Sequence, residues 1–488
     1  MQTPPRLSRG LAALLAASLL LGITFRNVWP EDMEWKADEQ NMFEAAQRVG
    51  VSEPWPWTGM RSGVGLPNPG MSYWSFAVLA RVTRANDPLS LGRASMALNT
   101  LALLLLLLFS LRCPEPAERP AWLWATALAA VNPGAVQLQR KIWSCSILPI
   151  FCVATLYGWW NRRTRWGAFL WGAVGAGMAQ IHMSGLFFVP AVAAWTAIFD
   201  RGPLERSPVR WRWWFAGSAA TGWPLVPWAV LALRHAAAER PPVSWGEALL
   251  PRFWAEWLLH LAGLQTAHSL GRRGFLEWIA EPRLGGTPTY LVGALVIVSS
   301  ALVLVIVVGA GLALSRRRGE WRALATGASS TGLLQNATFL GFGVLLTASA
   351  SRVQPHYLLV AYPLLYLWLA RAALLLPRGR RLLVGLWAVQ VLLSGAFLLQ
   401  VHVHGGSPGG DYGVPFSRQA AWRNRGASDL TGPGRSEGGG DSVGVHQRAH
   451  LAAGPAERVG KSRVAAGPSG HGLEHRPALR LVAEEAVV

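Results

Sequence analysis

Apolar residues come in blocks of roughly 15 to 25, the length that crosses about 30 Å of hydrocarbon, separated by short polar connections. Within the blocks the apolar character is continuous, as in LALLLLLLFSL (Leu101 to Leu111). A β-barrel would alternate instead. The pattern predicts an all-α, polytopic helical membrane protein with eleven spanning helices, at 8–28, 90–112, 120–138, 142–160, 166–183, 185–200, 212–234, 290–314, 327–349, 356–376 and 381–402. Every second connection is basic: RCPEPAER, NRRTRW, DRGPLERSPVRWRW, SRRRGEWR and RAALLLPRGRR. These share a side with Arg6 and Arg9, so the positive-inside bias puts that side and the N-terminus in the cytoplasm. The opposite short connections, LQRK, HMSG and SASRVQPH, carry less charge.

Two long connections fall on the outer side, 29–89 and 236–289. In the first, Met42, Ala45, Ala46 and Val49 repeat at helical spacing and predict a short amphipathic helix, with Asp38 as its N-cap and Gly50 as its stop. PWPW and GVGLPNPG then break the chain. MSYWSFAVLARVTR (Met71 to Arg84) predicts a second helix lying in the interface. The expected organisation is a signal-anchor helix (1–28), this outer loop (29–89), six spans (90–235), the second outer loop (236–289), four spans (290–403) and a tail (404–488). From about His404 the sequence becomes Gly-, Arg-, Ala- and Ser-rich without periodicity, which predicts a disordered segment. A shifted reading frame in a GC-rich gene would give the same mixture.

Composition agrees with membrane residence. The 488 residues are 51% hydrophobic and only 15% charged, against about a quarter charged in soluble domains. The net charge of +19 raises the question of nucleic acid. Its basic excess sits in inter-span loops, where topology accounts for it, so no nucleic-acid partner is expected. Many of the 26 Trp lie near block ends, as interfacial belts do. Cys113, Cys145 and Cys152 form neither a disulfide framework nor a CxxC metal motif. The stretch after Phe25 offers no small-residue cleavage site, so the first apolar block reads as an uncleaved signal-anchor.

Candidate chemistry gathers at the outer rim. Glu31, Asp32, Glu34, Asp38 and Glu39 form an acidic cluster in a basic protein, at a height fixed by the first helix. Such carboxylates either cap a helix and face water, or accept a proton from an attacking hydroxyl. Arg140 and Lys141 in QRKIW break the positive-inside pattern. They are either snorkelling cations or an anion-binding pair. Arg352, His356 and Tyr357 open the tenth span, and His182 lies at a turn on the same side. GAVGAG (Gly172 to Gly177) reads as small-residue helix packing. The NAT sequon at Asn336 lies inside a span and carries no glycosylation meaning. No nucleotide-binding fingerprint follows a strand, so a nucleotide-sugar donor is unsupported.

WKADEQNMFEAAQ (Trp35 to Gln47), GLPNPGMSYWSFAVLARVT (Gly65 to Thr83) and LGRASMALNTL (Leu91 to Leu101) occur in the order anchor, acidic loop, Pro-containing turn, interfacial helix. Over roughly residues 8 to 400 the chain resembles the GT-C superfamily of polytopic glycosyltransferases, family 39 type, which includes protein O-mannosyltransferases and lipid A aminoarabinose transferases. The resemblance implies a hexosyl- or pentosyltransferase taking its sugar from a polyprenyl-phosphate carrier. Its partners would be that lipid-linked donor, membrane lipid, and a glycan, lipid or protein acceptor. It further implies catalysis by Asp38 with Glu39 beside it, and a donor phosphate met by Arg140, Lys141, Arg352, His356 and Tyr357, with His182 as a further candidate. No cofactor is expected; related enzymes differ in metal dependence, and a single acidic motif argues against one here. The expected location is the bacterial inner (plasma) membrane, with the site on its outer face. Two alternatives stay open: a polytopic transporter, or a non-catalytic glycan-assembly subunit of the same fold. Spans nearly free of charge and polar groups gathered at the rim favour chemistry over passage.

Overall fold

The apolar blocks fold as helices. The computed structural model describes residues 8–62, 66–200, 208–239, 246, 250–316 and 329–422. In chain order the first helices are α1 (Arg9–Asn27), α2 (Ala37–Arg48), α3 (Met71–Thr83), α4 (Pro88–Leu111), α5 (Arg119–Val131), α6 (Pro133–Leu138), α7 (Leu148–Trp160), α8 (Arg165–Ile181), α9 (Gly185–Phe199), α10 (Trp211–Gly222) and α11 (Leu225–Glu239). Helices follow at Arg252–Ala262, Gln265–Ile279, Leu291–Ser315, Ser330–Ala348, Leu364–Leu374 and Gly379–His404. The β-strands among the described residues form two antiparallel pairs, Thr58–Arg61 with Pro67–Pro69 and Arg283–Leu284 with Thr287–Pro288. Both interfacial helices of the first loop form, as α2 and α3.

The protein is a polytopic all-α membrane protein. Five described helices are long and apolar enough to span: α1, α4, Leu291–Ser315, Ser330–Ala348 and Gly379–His404. A sixth is counted if Pro355–Ala361 and Leu364–Leu374, bent by 79°, make one span. The eleven expected spans are therefore not all continuous helices. The block at 120–138 is split into α5 and α6, and that at 212–234 into α10 and α11 around Pro224. In each case a proline interrupts the backbone ladder. Leu291–Ser315 illustrates the lipid-facing pattern. Val292, Ser299, Val303, Ile306 and Ala310 are buried on one stripe, while Ile297, Leu304 and Val308 are exposed on the other. Both faces are apolar, as a helix between protein and lipid requires.

Small residues set the closest packing. A Cβ on Gly172 of α8 would lie 2.1 Å from the Trp214 carbonyl oxygen, and one on Gly217 of α10 would lie 2.1 Å from that of Phe169. The two helices touch backbone to backbone, which is the packing expected of GAVGAG.

The α5–α6 break is closed by a cation. Pro133 has no N–H for the Ala129 carbonyl, and the turn at Asn132 frees that of Ala130. The fully buried Arg26 guanidinium reaches across from α1 to both, at 3.0 and 2.7 Å. It also donates to Gln139 Oε1 at 2.7 Å and to the Gly22 carbonyl at 2.8 Å. Asn132 caps α6 through Ala135 N–H at 3.1 Å and donates to the His260 carbonyl at 3.0 Å.

Residues 405–422 differ from expectation. They are not an unstructured tail but fold back on the first loop. Tyr412 is buried and its hydroxyl donates to the Asp32 carbonyl. Phe416 N–H donates to the Met33 carbonyl at 3.0 Å, and Glu34 pairs with Pro415 in an antiparallel bridge. Gly271 (φ +66) kinks Gln265–Ile279 where the Gly409–Gly410 backbone crosses, and a Cβ there would stand 2.7 Å from the Gly409 oxygen. Residues 423–488, the rest of the expected tail, lie outside the described residues.

Candidate active site

The α2 helix starts two residues earlier than its sequence suggests. Lys36, not Asp38, is the N-cap. Glu39, at the third helical position, accepts the Lys36 backbone N–H at 3.0 Å and is buried. Asp38 is consequently free of capping. It is exposed, has no hydrogen bond or ion pair among the described residues, and lines a cavity of about 410 Å³.

Several elements meet around that cavity: the start of α2, the β-pair after it, the turn following α6, the turn between α8 and α9, residues 351–357, and Asp411 from the returning segment. The turn after α6 is held by α4. Ser95 Oγ donates to the Lys141 carbonyl at 3.1 Å and Asn99 Nδ2 to the Gln139 carbonyl at 2.9 Å.

Charge on the wall is closely paired. Glu34 is 1% exposed and lies between Lys36 Nζ, at 2.6 Å, and Lys141 Nζ. Lys36 also reaches Asp411 Oδ1 at 3.0 Å. Burial opposes the charge on Lys141, but Glu34 and Glu39 outweigh it and hold the ammonium above its ordinary value. Burial likewise opposes ionisation of Asp411, yet Lys141 and Lys36 prevail and keep it below the usual carboxylate range. Glu39 goes the other way. Burial first, then the neighbouring Glu34 carboxylate, push it up to about 7 against the partial relief of the two lysines.

The structure brings Asp38, Glu39, Lys141, His182, His356 and Tyr357 to this one cavity. It does not bring Arg140 or Arg352. Arg140 points back at the C-terminal end of α1, donating to the Phe25 and Trp29 carbonyls at 2.6 and 2.9 Å. It satisfies acceptors that every helix end leaves open. Arg352 is exposed and is not on the lining. Lys141 Nζ stands 5.1 Å from the Trp143 ring centroid, and the His356 ring meets Trp143 edge-on with centroids 4.5 Å apart. The buried His182 has Nδ1 2.7 Å from Ser184 Oγ, and burial lowers its pKa to about 4.

Sequence reasoning missed Lys36, Asp411 and His268 as lining residues. Glu34 was visible in the acidic cluster, and its alternation with Lys36 was the available signal for a paired wall. Asp411 sits in GGDYG, where composition alone gave no sign of packing.

No protein-family model matches the chain, and no curated protein does. Among solved structures it is similar to ArnT from Cupriavidus metallidurans bound to undecaprenyl phosphate. That match has 12% identity and a TM-score of 0.47, over 86% of this chain and 79% of that one. It is also similar to the Archaeoglobus fulgidus oligosaccharyltransferase in the apo form, with 14% identity and a TM-score of 0.40. There the match covers 85% of this chain and spans 56% of the other's length.

Proposed function

We propose that the chain is an integral membrane glycosyltransferase that moves a sugar from a polyprenyl-phosphate carrier to an acceptor on the outer face of the bacterial inner membrane. The observation that carries this reading is the cavity itself. It places an unpaired, water-accessible carboxylate, Asp38, in one chamber with the buried cation Lys141 and the aromatic pair His356 and Tyr357.

The roles follow from the surroundings of each group. Asp38 orients the acceptor and takes the proton of an attacking hydroxyl, because its carboxylate has no hydrogen bond or ion pair among the described residues. Lys141, with Lys36 beside it, stabilises the charge that develops on the departing lipid phosphate. Glu34 keeps both ammonium groups in place. Glu39 fixes the first turn of α2 and hence the direction of Asp38. The apolar helix faces let the lipid tail remain in the bilayer while its phosphate reaches the rim, so no soluble donor domain is needed. The sugar, hexose or pentose, and the acceptor, glycan, lipid or protein, are not specified by these groups.

The test uses purified protein in lipid nanodiscs with radiolabelled polyprenyl-phosphate sugars, following release of label to water or to an added acceptor. Asp38→Asn is expected to lower turnover by about 10²- to 10⁴-fold, the usual contribution of a positioned acid or base, with donor binding retained. Equal turnover in wild type and variant would remove Asp38 from the chemistry. Absence of donor binding by either protein would defeat the transferase reading and return weight to a transporter.

A further inference from the structure

Behind the cavity wall three metal-ligating side chains converge from three separate elements. Cys145 lies on the 3₁₀ turn Ser144–Ile147, His182 in the turn between α8 and α9, and His356 at the start of Pro355–Ala361. One ligating atom from each lies within 4.8 Å of the others. We infer that Cys145, His182 and His356 bind a divalent ion of the zinc class, with its fourth position open to the cavity.

Chemistry and surroundings support the assignment. A thiolate with two imidazoles suits a borderline-soft ion such as zinc and does not suit magnesium or calcium. At zinc–sulfur and zinc–nitrogen distances of about 2.3 and 2.0 Å, tetrahedral ligand atoms stand about 3.5 Å apart. Side-chain rotations closing the present spread by about 1 Å reach that geometry. His356 is available: its recorded contacts are the edges of Trp143, His182 and Tyr357, and neither ring nitrogen has a hydrogen-bond partner among the described residues. His182 is already oriented. Its Nδ1 accepts the Ser184 backbone N–H at 3.3 Å and lies 2.7 Å from Ser184 Oγ, and Nε2 has no partner among the described residues. Ligation through Nε2 puts the imidazole proton on Nδ1, where Ser184 Oγ is the acceptor. Cys145 is fully buried and lies off the cavity lining, whereas both histidines are on it. The ion would therefore sit between the buried sulfur and the chamber, with its unfilled position facing the chamber.

Binding exchanges one proton. The Cys145 thiol releases its hydrogen to solvent as the sulfur–metal bond forms, and the two imidazoles bind neutral. The arrangement of three protein ligands and an open fourth position is that of a reactive rather than a structural zinc site. A further observation gives such an ion a use. Glu34, Asp38, Glu39 and Asp411 share this wall with Lys36, Lys141 and Arg61, so the wall itself carries little net charge. A dication would supply the positive charge that an anionic ligand in the same chamber needs.

The site is tested without sugar transfer. Full-length protein in nanodiscs, stripped with a chelator, is titrated with cobalt(II). The expected result is one equivalent of tetrahedral cobalt, seen as intense visible d–d bands with a thiolate-to-cobalt charge-transfer band in the near ultraviolet, all displaced by zinc. Cys145→Ser should abolish the charge-transfer band, while Cys113→Ser and Cys152→Ser keep it. Ser184→Ala, a change outside the ligand set that keeps the helix turn, should weaken zinc about 10- to 100-fold, the usual effect of losing an outer-sphere partner. An octahedral spectrum, no spectrum, or a charge-transfer band that survives Cys145→Ser would each overturn the assignment. A cobalt spectrum with no turnover would leave the metal site standing and remove the transferase reading instead.

Discussion

At the scale of single residues, the useful contrast is between two adjacent carboxylates. Asp38 is exposed and has no ion pair among the described residues; Glu39 is buried and raised to about 7. A carboxyl whose folded-state pKa lies above its unfolded value of 4.5 stabilises the fold while protonated. That contribution is complete below about 4.5 and is lost as pH rises through about 7. Glu39→Gln removes the loss and keeps an acceptor for the Lys36 N–H. The variant should therefore gain stability on wild type as pH rises from 5 to 8, on the order of a few kcal/mol at the upper end, read as a higher thermal midpoint. Parallel melting curves across that range would show that Glu39 does not titrate there. Sequence reading placed both carboxylates at the site but could not separate their roles. The distinction depends on a helix that begins at Ala37 rather than after Asp38, and the shift of a cap by two residues is invisible to periodicity. Arg140 is the instructive opposite. Its expected position at the rim suggested phosphate, and its two terminal nitrogens instead donate to the carbonyls of Phe25 and Trp29 at the end of α1.

At the scale of elements, the broken helices were the part least legible in advance. A hydropathy block says how much apolar chain is present, not whether its hydrogen bonds run unbroken. Pro133 and Pro224 were in view, yet a proline alone does not decide between a kink and a full break, because neighbouring groups can take over the freed carbonyls. At Pro133 Arg26 takes them. A cation inside the first span carried no such signal in the sequence, since its acceptors come from residues 129 and 130, about a hundred positions away. Arg26→Leu should lower stability by about 2–5 kcal/mol, because the Ala129 and Ala130 carbonyls and Gln139 lose a buried charged donor. Thermal unfolding in detergent measures it, and a change under about 0.5 kcal/mol, the range of ordinary surface substitutions, would mean water replaces the guanidinium. The small-residue contact between α8 and α10, by contrast, was readable from GAVGAG, because close backbone approach needs only missing side chains.

At the scale of the whole molecule, the class of fold was plain from the apolar blocks, and six of the candidate residues, Asp38, Glu39, Lys141, His182, His356 and Tyr357, line one cavity. What could not be read was the return of residues 405–422 to the first loop, which puts Asp411 on the cavity lining. Gly-rich sequence without a period looks unstructured, and its order comes from partners nearly four hundred residues earlier: Asp32, Glu34 and Lys36. Asp32 alone accepts from Ser417 Oγ at 3.0 Å and pairs with His402 at 2.6 Å. Ending the chain at His404 should lower the thermal midpoint and weaken donor binding, because it removes Asp411 from Lys36 and Tyr412 from the core. A chain ending there with unchanged donor affinity would mean that the returning segment packs against the site without shaping it.

That returning segment also sets an order of events in biosynthesis. The acidic loop emerges early, just after the first helix, and Glu34 can meet Lys36 and Lys141 long before the last helix is made. The second partner of Lys36, Asp411, follows that last helix. A nascent chain stalled before residue 405 would thus carry every candidate catalytic residue and still lack one charged group of the wall. The lining is complete only when Asp411 has been synthesised.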